Sequence, residues 1–333
     1  MDRYAWMAAL RGVTDIHLTE GAPALVRRAG VLEEAPALPG VVELEEVIPE
    51  GKRAAYKASG VCDCAFTAGT VRCRLHLYRA GGRRAAAIRL LPDLADLPPD
   101  GDGPWLRAVT DLAGGLVLVT GPTGSGKSTA LARIVQNLCR RPCHIITVED
   151  PPEYLFPQGP ALVHQKEVGT DVASFADGVR DALREDPDVV VIGELRDRAT
   201  MEAALTAAET GRLVLATLHD DSAVGAVGRI VHAFPAERER EVRAILAAVL
   251  RFAAAQVLCR AGERTLLLRE ILANTAPVAH LIRDGKDEQI PSYMEMGRLH
   301  MRTFPQALAR AAAEGLTPAE QEALARMAER LLQ

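Results

Sequence analysis

The chain has 333 residues, room for about two domains at roughly 100–200 residues each. Apolar residues make up 48%, charged residues 25% and aromatics 4%, ordinary values for a globular protein whose core is filled by Leu, Val, Ile and Ala. A net charge of −5 and a pI near 6.0 exclude a global attraction to nucleic acid and argue against a DNA motor.

In chain order, Asp2 and Arg3 are followed by an expected short mixed helix, and no signal peptide is expected at the start. Asp15-Ile16-His17-Leu18, Ala24-Leu25-Val26-Arg27 and the run 71–77 have the period-two character of strands, and residues 43–57 turn from acidic to basic with helical character. These elements predict a small α+β domain over residues 1–97. Cys62 and Cys64 read as alternating strand positions, and the six cysteines as reduced thiols without zinc spacing. Residues 91–104 are dense in Pro, Gly and Asp; within them, 98–104 is the expected linker.

From Trp105 the pattern changes. Gly115-Leu116-Val117-Leu118-Val119-Thr120 is a continuous apolar run, and further buried strands are expected at 144–148, 189–193 and 213–218, with helices between them. Continuous apolar strands alternating with helices predict a parallel sheet covered on both faces. The last third, from about Ser222, reads as mostly helical, ending in an amphipathic helix over 318–332. Residues 244–259 come nearest to a membrane span, but Arg251 interrupts them and no run reaches about 18 apolar residues. No direct membrane span is expected, so membrane association has to run through a protein partner.

Gly121-Pro122-Thr123-Gly124-Ser125-Gly126-Lys127-Ser128 matches G-x-x-x-x-G-K-[ST] in full, with an apolar strand before it and a helix from about Ser128 to Asn137 after it. The glycines let the backbone wrap around phosphates, and the helix N-terminus adds favourable potential. Lys127 is expected to reach the β and γ phosphates, Ser128 to ligate Mg²⁺, and Thr129 to support the same turn. Nothing resembles a GTPase base-reading motif, which favours ATP. After the 144–148 strand, Glu149-Asp150-Pro151-Pro152-Glu153 puts a carboxylate, Glu153, on a proline-stiffened turn where an attacking water has to be oriented or deprotonated. Val189-Val190-Val191-Ile192-Gly193-Glu194 is a buried strand ending in an acid, so Glu194 is the second candidate for Mg²⁺. His219 follows the 213–218 strand, at the end where parallel sheets gather ligands.

Together, G-P-T-G-S-G-K-S-T, V-E-D-P-P-E, L-R-E-D-P-D-V-V-V-I-G-E-L-R-D and T-A-A-E-T-G-R-L-V-L-A-T-L-H stand in the order and spacing of the type II/IV secretion ATPase superfamily. Within that superfamily the chain resembles the type IV pilus retraction ATPases (the PilT family), closely over 105–235 and loosely elsewhere. The resemblance implies an α/β fold: a RecA-like ATPase domain over 105–333 with a C-terminal helical segment, preceded by a PAS-like domain that opens with Asp15-Ile16-His17-Leu18. It implies a homo-hexamer hydrolysing Mg-ATP in the cytoplasm, peripheral at the inner face of the cytoplasmic membrane. An inner-membrane pilus platform protein and a paralogous motor ATPase are the implied partners. It makes Glu153 the catalytic glutamate, Glu194 the Walker B glutamate and His219 a His-box histidine, and brings Arg83, Arg84 and Arg89 toward nucleotide.

Neither the extra N-terminal domain nor the tetracysteine zinc insert of many assembly ATPases is expected from this sequence. His280-Leu281-Ile282-Arg283-Asp284 resembles the end of the retraction family's A-I-R-N-L-I-R-E motif. Pilus retraction is therefore the expected function. Three departures keep an assembly ATPase and a weakly active, nucleotide-responsive accessory subunit as alternatives. Pro277-Val278-Ala279 stands in the first half of that motif, Arg212 replaces the first His-box histidine, and Asp220-Asp221 follows His219 where the family has Thr-Thr.

Overall fold

The computed structural model describes residues 4, 7, 10, 12–35, 41–97, 100–261 and 264–331. The short helix expected after Arg3, Pro98 and Pro99 of the expected linker, and Leu332 lie outside the described residues. The chain forms two compact units: Met1–Pro98 with Val148–Pro157 and Gln165–Gly178, and Pro99–Thr147 with Gln158–His164 and Val179–Gln333.

The first unit contains a six-stranded sheet of β1 (Val13–Thr19), β2 (Leu25–Arg28), β3 (Val31–Glu34), β4 (Cys62–Ala68), β5 (Val71–Ala80) and β6 (Arg83–Leu91). Its order is β3-β2-β1-β6-β5-β4, and every pairing is antiparallel. Period-two alternation puts Ile16 and Leu18, Leu75 and Leu77, and Ile88 on one face. That face is packed with Leu44, from a 3-10 segment Val41–Val47, in a single core cluster. Helix α1 (Glu50–Ser59) has no fully buried residue and ends on Gly60 in the left-handed region. Cys62 and Cys64 both face inward on β4, and all six cysteines are free thiols. The outer strand β3 is exposed along its whole length, with Val31 66% and Leu32 44% accessible.

The second sheet has seven strands in the order β13-β12-β7-β11-β10-β8-β9: β7 (Gly115–Thr120), β8 (His144–Glu149), β9 (Leu162–Glu167), β10 (Val189–Ile192), β11 (Leu213–Leu218), β12 (Leu250–Ala261) and β13 (Arg264–Ala273). β7, β10 and β11 are buried at every position, as the continuous apolar runs require. β10 and β7 run parallel to β11, and β12 runs parallel to β7, while β13 returns antiparallel to β12. Helices α2 (Gly103–Thr110), α3 (Lys127–Leu138), α4 (Phe175–Ala182), α5 (Arg198–Glu209), α6 (Ala223–His232) and α7 (Glu239–Val249) connect the strands. α8 (Ala276–Asp284), α9 (Ile290–Met294), α10 (Phe304–Ala312) and α11 (Pro318–Leu331) follow.

The last third is mostly helical, as expected, and within it stands a β12–β13 hairpin that the sequence reading does not anticipate. The run Leu250-Arg251-Phe252-Ala253-Ala254-Ala255-Gln256-Val257 is rich in good helix formers, yet helix propensity is worth at most about 0.7 kcal/mol per ordinary residue. Burying Phe252, Val257 and Leu250 between β7 and β13 is worth roughly 1.5–3 kcal/mol each, and that term decides. Pro277 falls in the first turn of α8, where a missing N–H breaks no helical bond, so the departure at 277–279 leaves the helix intact. No helix among the described residues is long and apolar enough to cross a membrane.

Candidate active site

The phosphate loop joins β7 to α3 in the second unit. Gly121 adopts φ 144, and a Cβ there would lie 2.3 Å from the Gln256 carbonyl of β12. Only glycine lets the chain turn against the neighbouring strand at that point. Gly126, in the left-handed region at φ 85, precedes α3, whose first turn carries Lys127, Ser128 and Thr129. Lys127 Nζ donates to the loop's own carbonyls, Gly121 O at 2.7 Å and Pro122 O at 2.9 Å. Pro122, Thr123 and Gly124 are exposed, as is Ser128. Ser125 is 3% exposed, and its buried Oγ has no hydrogen-bond partner among the described residues.

A helix N-terminus, a lysine folded over a glycine-rich turn and an orphaned buried hydroxyl form a donor set suited to an anionic phosphate chain. Ser128 and Glu194 carry oxygens of the kind a hard cation such as Mg²⁺ prefers.

Register explains how Glu194 and His219 meet. β7, β11 and β10 are aligned so that Thr120 lies beside Leu218, and Ile192 beside Ala216. Thr217 then grips the chain on both sides of Glu194: its hydroxyl donates to the Gly193 carbonyl, and its own carbonyl accepts from Leu195 N at 2.9 Å. The Glu194 carboxylate is left pointing at His219, whose Nε2 lies 3.1 Å away, and it accepts from Arg196 Nε at 2.6 Å. Thr120, the residue before the loop, donates from its hydroxyl to Asp220 O at 2.9 Å and accepts from Asp220 N at 2.8 Å. The segment after His219 is thereby tied to the foot of the phosphate loop, and Asp220 and Asp221 are compatible with that tie because it uses backbone atoms of Asp220.

Arg212 stands one residue before β11 and His219 one residue after it. At about 3.3 Å per residue the two are about 20 Å apart. Arg212 Nη1 donates to Thr210 O at 2.9 Å, and Nη2 lies 3.8 Å from Asp186.

Glu153 belongs to the first unit. Arg74 of β5 lies 3.9 Å from its carboxylate, and Arg72 donates to Pro152 O at 3.3 Å. Lys52 of α1 stands 3.9 Å from Asp150 and 2.7 Å from Glu167. Burial pulls the Arg72 guanidinium below its ordinary pKa, against the pull of Glu167 and Glu149 in the other direction. Three cations of α1 and β5 therefore hold the acidic turn, and the sequence reading singled out none of them. Their alternation with apolar residues in 71–77 was the available signal, since it marks Arg72 and Arg74 as sharing one sheet face.

The three arginines singled out instead are differently placed. Arg84 donates to Glu20 at 3.0 and 3.2 Å and to Glu45 at 3.2 Å, and those hydrogen bonds raise its pKa further. Arg89 pairs with Asp15 at 2.9 Å. Burial pushes the Asp15 carboxyl up, but bonds from Thr14 and Arg89 outweigh it and hold the group below the ordinary value. Arg83 is exposed, with no ion-pair partner among the described residues.

Residues 96–323 match the family model for type II/IV secretion system proteins. The uncharacterized protein YggR of Escherichia coli K12 is 41% identical over 322 residues, 95% of this chain and 99% of that protein. The type IV pilus retractation ATPase PilT of Pseudomonas aeruginosa is 36% identical over 324 residues, 94% of each. The crystal structure of the pilus retraction motor PilT with bound ADP resembles the chain at a TM-score of 0.83 and 37% identity, covering 97% of both.

Proposed function

This chain belongs to the type II/IV secretion system protein family and is a PilT-type ATPase; from that premise we propose that it is a hexameric Mg-ATP-hydrolysing motor at the base of a type IV pilus, powering retraction and twitching motility. The observation that carries the reading is the convergence, at one end of β7, β10 and β11, of the phosphate loop and the Glu194–His219 pair.

In this reading residues 1–97 form a PAS-like domain, 98–104 a linker and 105–333 the RecA-like ATPase domain. The backbone from Gly121 to Gly126 and the Lys127 ammonium bind the phosphates, with Thr129 supporting the turn. Ser128 and Glu194 would hold Mg²⁺, which would supply positive charge to offset the negative charge of the phosphates. His219 orients the Glu194 carboxylate through the 3.1 Å contact. Glu153 takes a proton from the attacking water, and Arg74 and the Arg72-anchored turn keep its carboxylate in place. Of the three N-terminal arginines, Arg83 is the best suited to reach phosphate, because Arg84 and Arg89 would first have to give up their own carboxylates. The chain works in the cytoplasm, peripheral at the inner face of the membrane, against an inner-membrane platform protein and beside a paralogous motor.

The test is steady-state ATPase activity, with mass photometry at the same concentration, of the wild type and Glu153→Gln. The expected result is a hexamer whose turnover falls at least about a hundredfold in the variant while ATP binding persists. Full turnover in Glu153→Gln would remove Glu153 from its role, and an inactive wild type would favour an accessory subunit. Deleting the gene separates direction: hyperpiliated, non-twitching cells mean retraction, and bald cells mean assembly.

A further inference from the structure

Gln256 lies in the middle of β12 between apolar neighbours and is 1% exposed. A buried primary amide costs stability unless both its ends are paired. Here both are. Nε2 donates to the Ser125 carbonyl, inside the phosphate loop, at 2.8 Å. Oε1 accepts from Arg269 Nε at 3.2 Å and Nη2 at 3.0 Å.

The orientation of this amide is dictated. A guanidinium has donors only, so Arg269 has to face the amide oxygen, which leaves the amide N–H to face the loop. Arg269 has no freedom of its own. It is 2% exposed, makes a two-pronged bond to Asp100 at 2.9 and 3.0 Å, and lies 4.3 Å from the Trp105 ring centroid. Its backbone carbonyl accepts from Arg302 Nε at 2.7 Å. The chain of contacts therefore runs from Asp100, at the start of the second unit, through Arg269 and Gln256 to Ser125.

We propose that Gln256 is a positioning residue for nucleotide binding, fixing the peptide between Ser125 and Gly126. In a trans peptide the carbonyl and the N–H point in opposite directions. With the Ser125 carbonyl held toward β12, the Gly126 N–H is aimed away from β12, and it immediately precedes Lys127. Gln256 thus sets the direction of one of the loop amides that a phosphate would meet. This inference rests on the ATPase reading of the loop.

The experiment compares ADP affinity by calorimetry, together with kcat and KM, for the wild-type chain, Gln256→Leu, Gln256→Glu, Arg269→Lys and the Gln256→Leu/Arg269→Lys pair. Gln256→Leu is expected to weaken ADP about tenfold and to raise KM in step, with kcat changed by less than about threefold. Gln256→Glu keeps its length and its bond from Arg269 but sets a carboxylate oxygen against the Ser125 carbonyl, so it weakens ADP at least as much. It carries the test alone if Gln256→Leu fails to fold. Arg269→Lys weakens ADP severalfold by itself and adds nothing in the Gln256→Leu background, because Arg269 reaches the loop through the amide. A merely structural role would lower melting temperature without that loss of additivity in affinity. ADP affinity within about twofold of wild type in both Gln256 variants, or additive effects of the Gln256 and Arg269 changes, would overturn the inference. A wild-type chain that binds no ADP would overturn the ATPase reading as well, which keeps the two failures apart.

Discussion

The three central strands β7, β10 and β11 have two ends of opposite character. At the carboxyl ends the chain leaves the sheet through Gly121, Glu194 and His219, and a carboxylate and an imidazole meet there, beside backbone bonds such as Leu195 N to Thr217 O. At the amino ends backbone closes on backbone. Gly115 N donates to Arg212 O at 3.0 Å, Leu213 N to Asp188 O at 3.1 Å, and Asp188 N to His144 O at 2.9 Å. Gly114 is so tightly placed that a Cβ would fall 2.2 Å from the Gly211 carbonyl. The segment Thr210-Gly211-Arg212-Leu213-Val214-Leu215-Ala216-Thr217-Leu218-His219 reads as one motif in sequence, yet it spans both ends. Its first half helps to close the sheet and its last residue contacts Glu194. Having Arg212 in place of a histidine is therefore a change at the structural end.

Variants at the two ends put that contrast at risk. Lys127→Ala, at the carboxyl end, is expected to lower ATP turnover by more than about a hundredfold. Phosphate release measured at saturating ATP checks this, and near-normal release would mean the loop is not the nucleotide site. His219→Ala removes the imidazole 3.1 Å from Glu194, so kcat should fall about tenfold or more with KM within about threefold; an unchanged kcat would reduce the pair to a structural contact. At the amino end, Gly114→Ala should cost about 2 kcal/mol by steric overpacking. Urea denaturation reads that loss, and KM of the folded enzyme should stay at the wild-type value. The smallest effect is expected from Arg212→His, with stability within ~0.5 kcal/mol and kcat within about twofold. A large gain of turnover in that variant would show that the amino end feeds the site after all, and the contrast would be lost.

What could be read in the sequence followed from how local its causes are. The phosphate loop, the Glu194 strand and the 213–218 strand declare themselves because each is contiguous and its apolar run is long enough to be buried on both faces. β12 did not, because an alanine-rich run has no preference strong enough to outweigh the partners that flank it, and those partners lie far off in the chain. Gln256 was invisible for the same reason: one polar residue in an apolar run has no meaning until Ser125, 131 residues away, is brought against it. The arginines divided along similar lines. Arg83, Arg84 and Arg89 are singled out by the family resemblance, while Arg74, which stands beside Glu153, has its partner 79 positions downstream by residue number.

The exposed outer strand β3 has a consequence for the protein's behaviour at high concentration. A strand edge bearing Val31 and Leu32, outermost in its sheet among the described residues, is a template on which another copy could add by backbone pairing. Glu33 and Glu34 complete the same strand, and Arg28 binds Glu33 at 2.8 Å from the neighbouring strand. Two edges brought together would bring four carboxylates to one seam, two of them paired with Arg28, and the remaining repulsion opposes edge pairing. Salt is the condition that weakens this guard, since the Debye length falls from about 10 Å at 0.1 M to about 3 Å at 1 M.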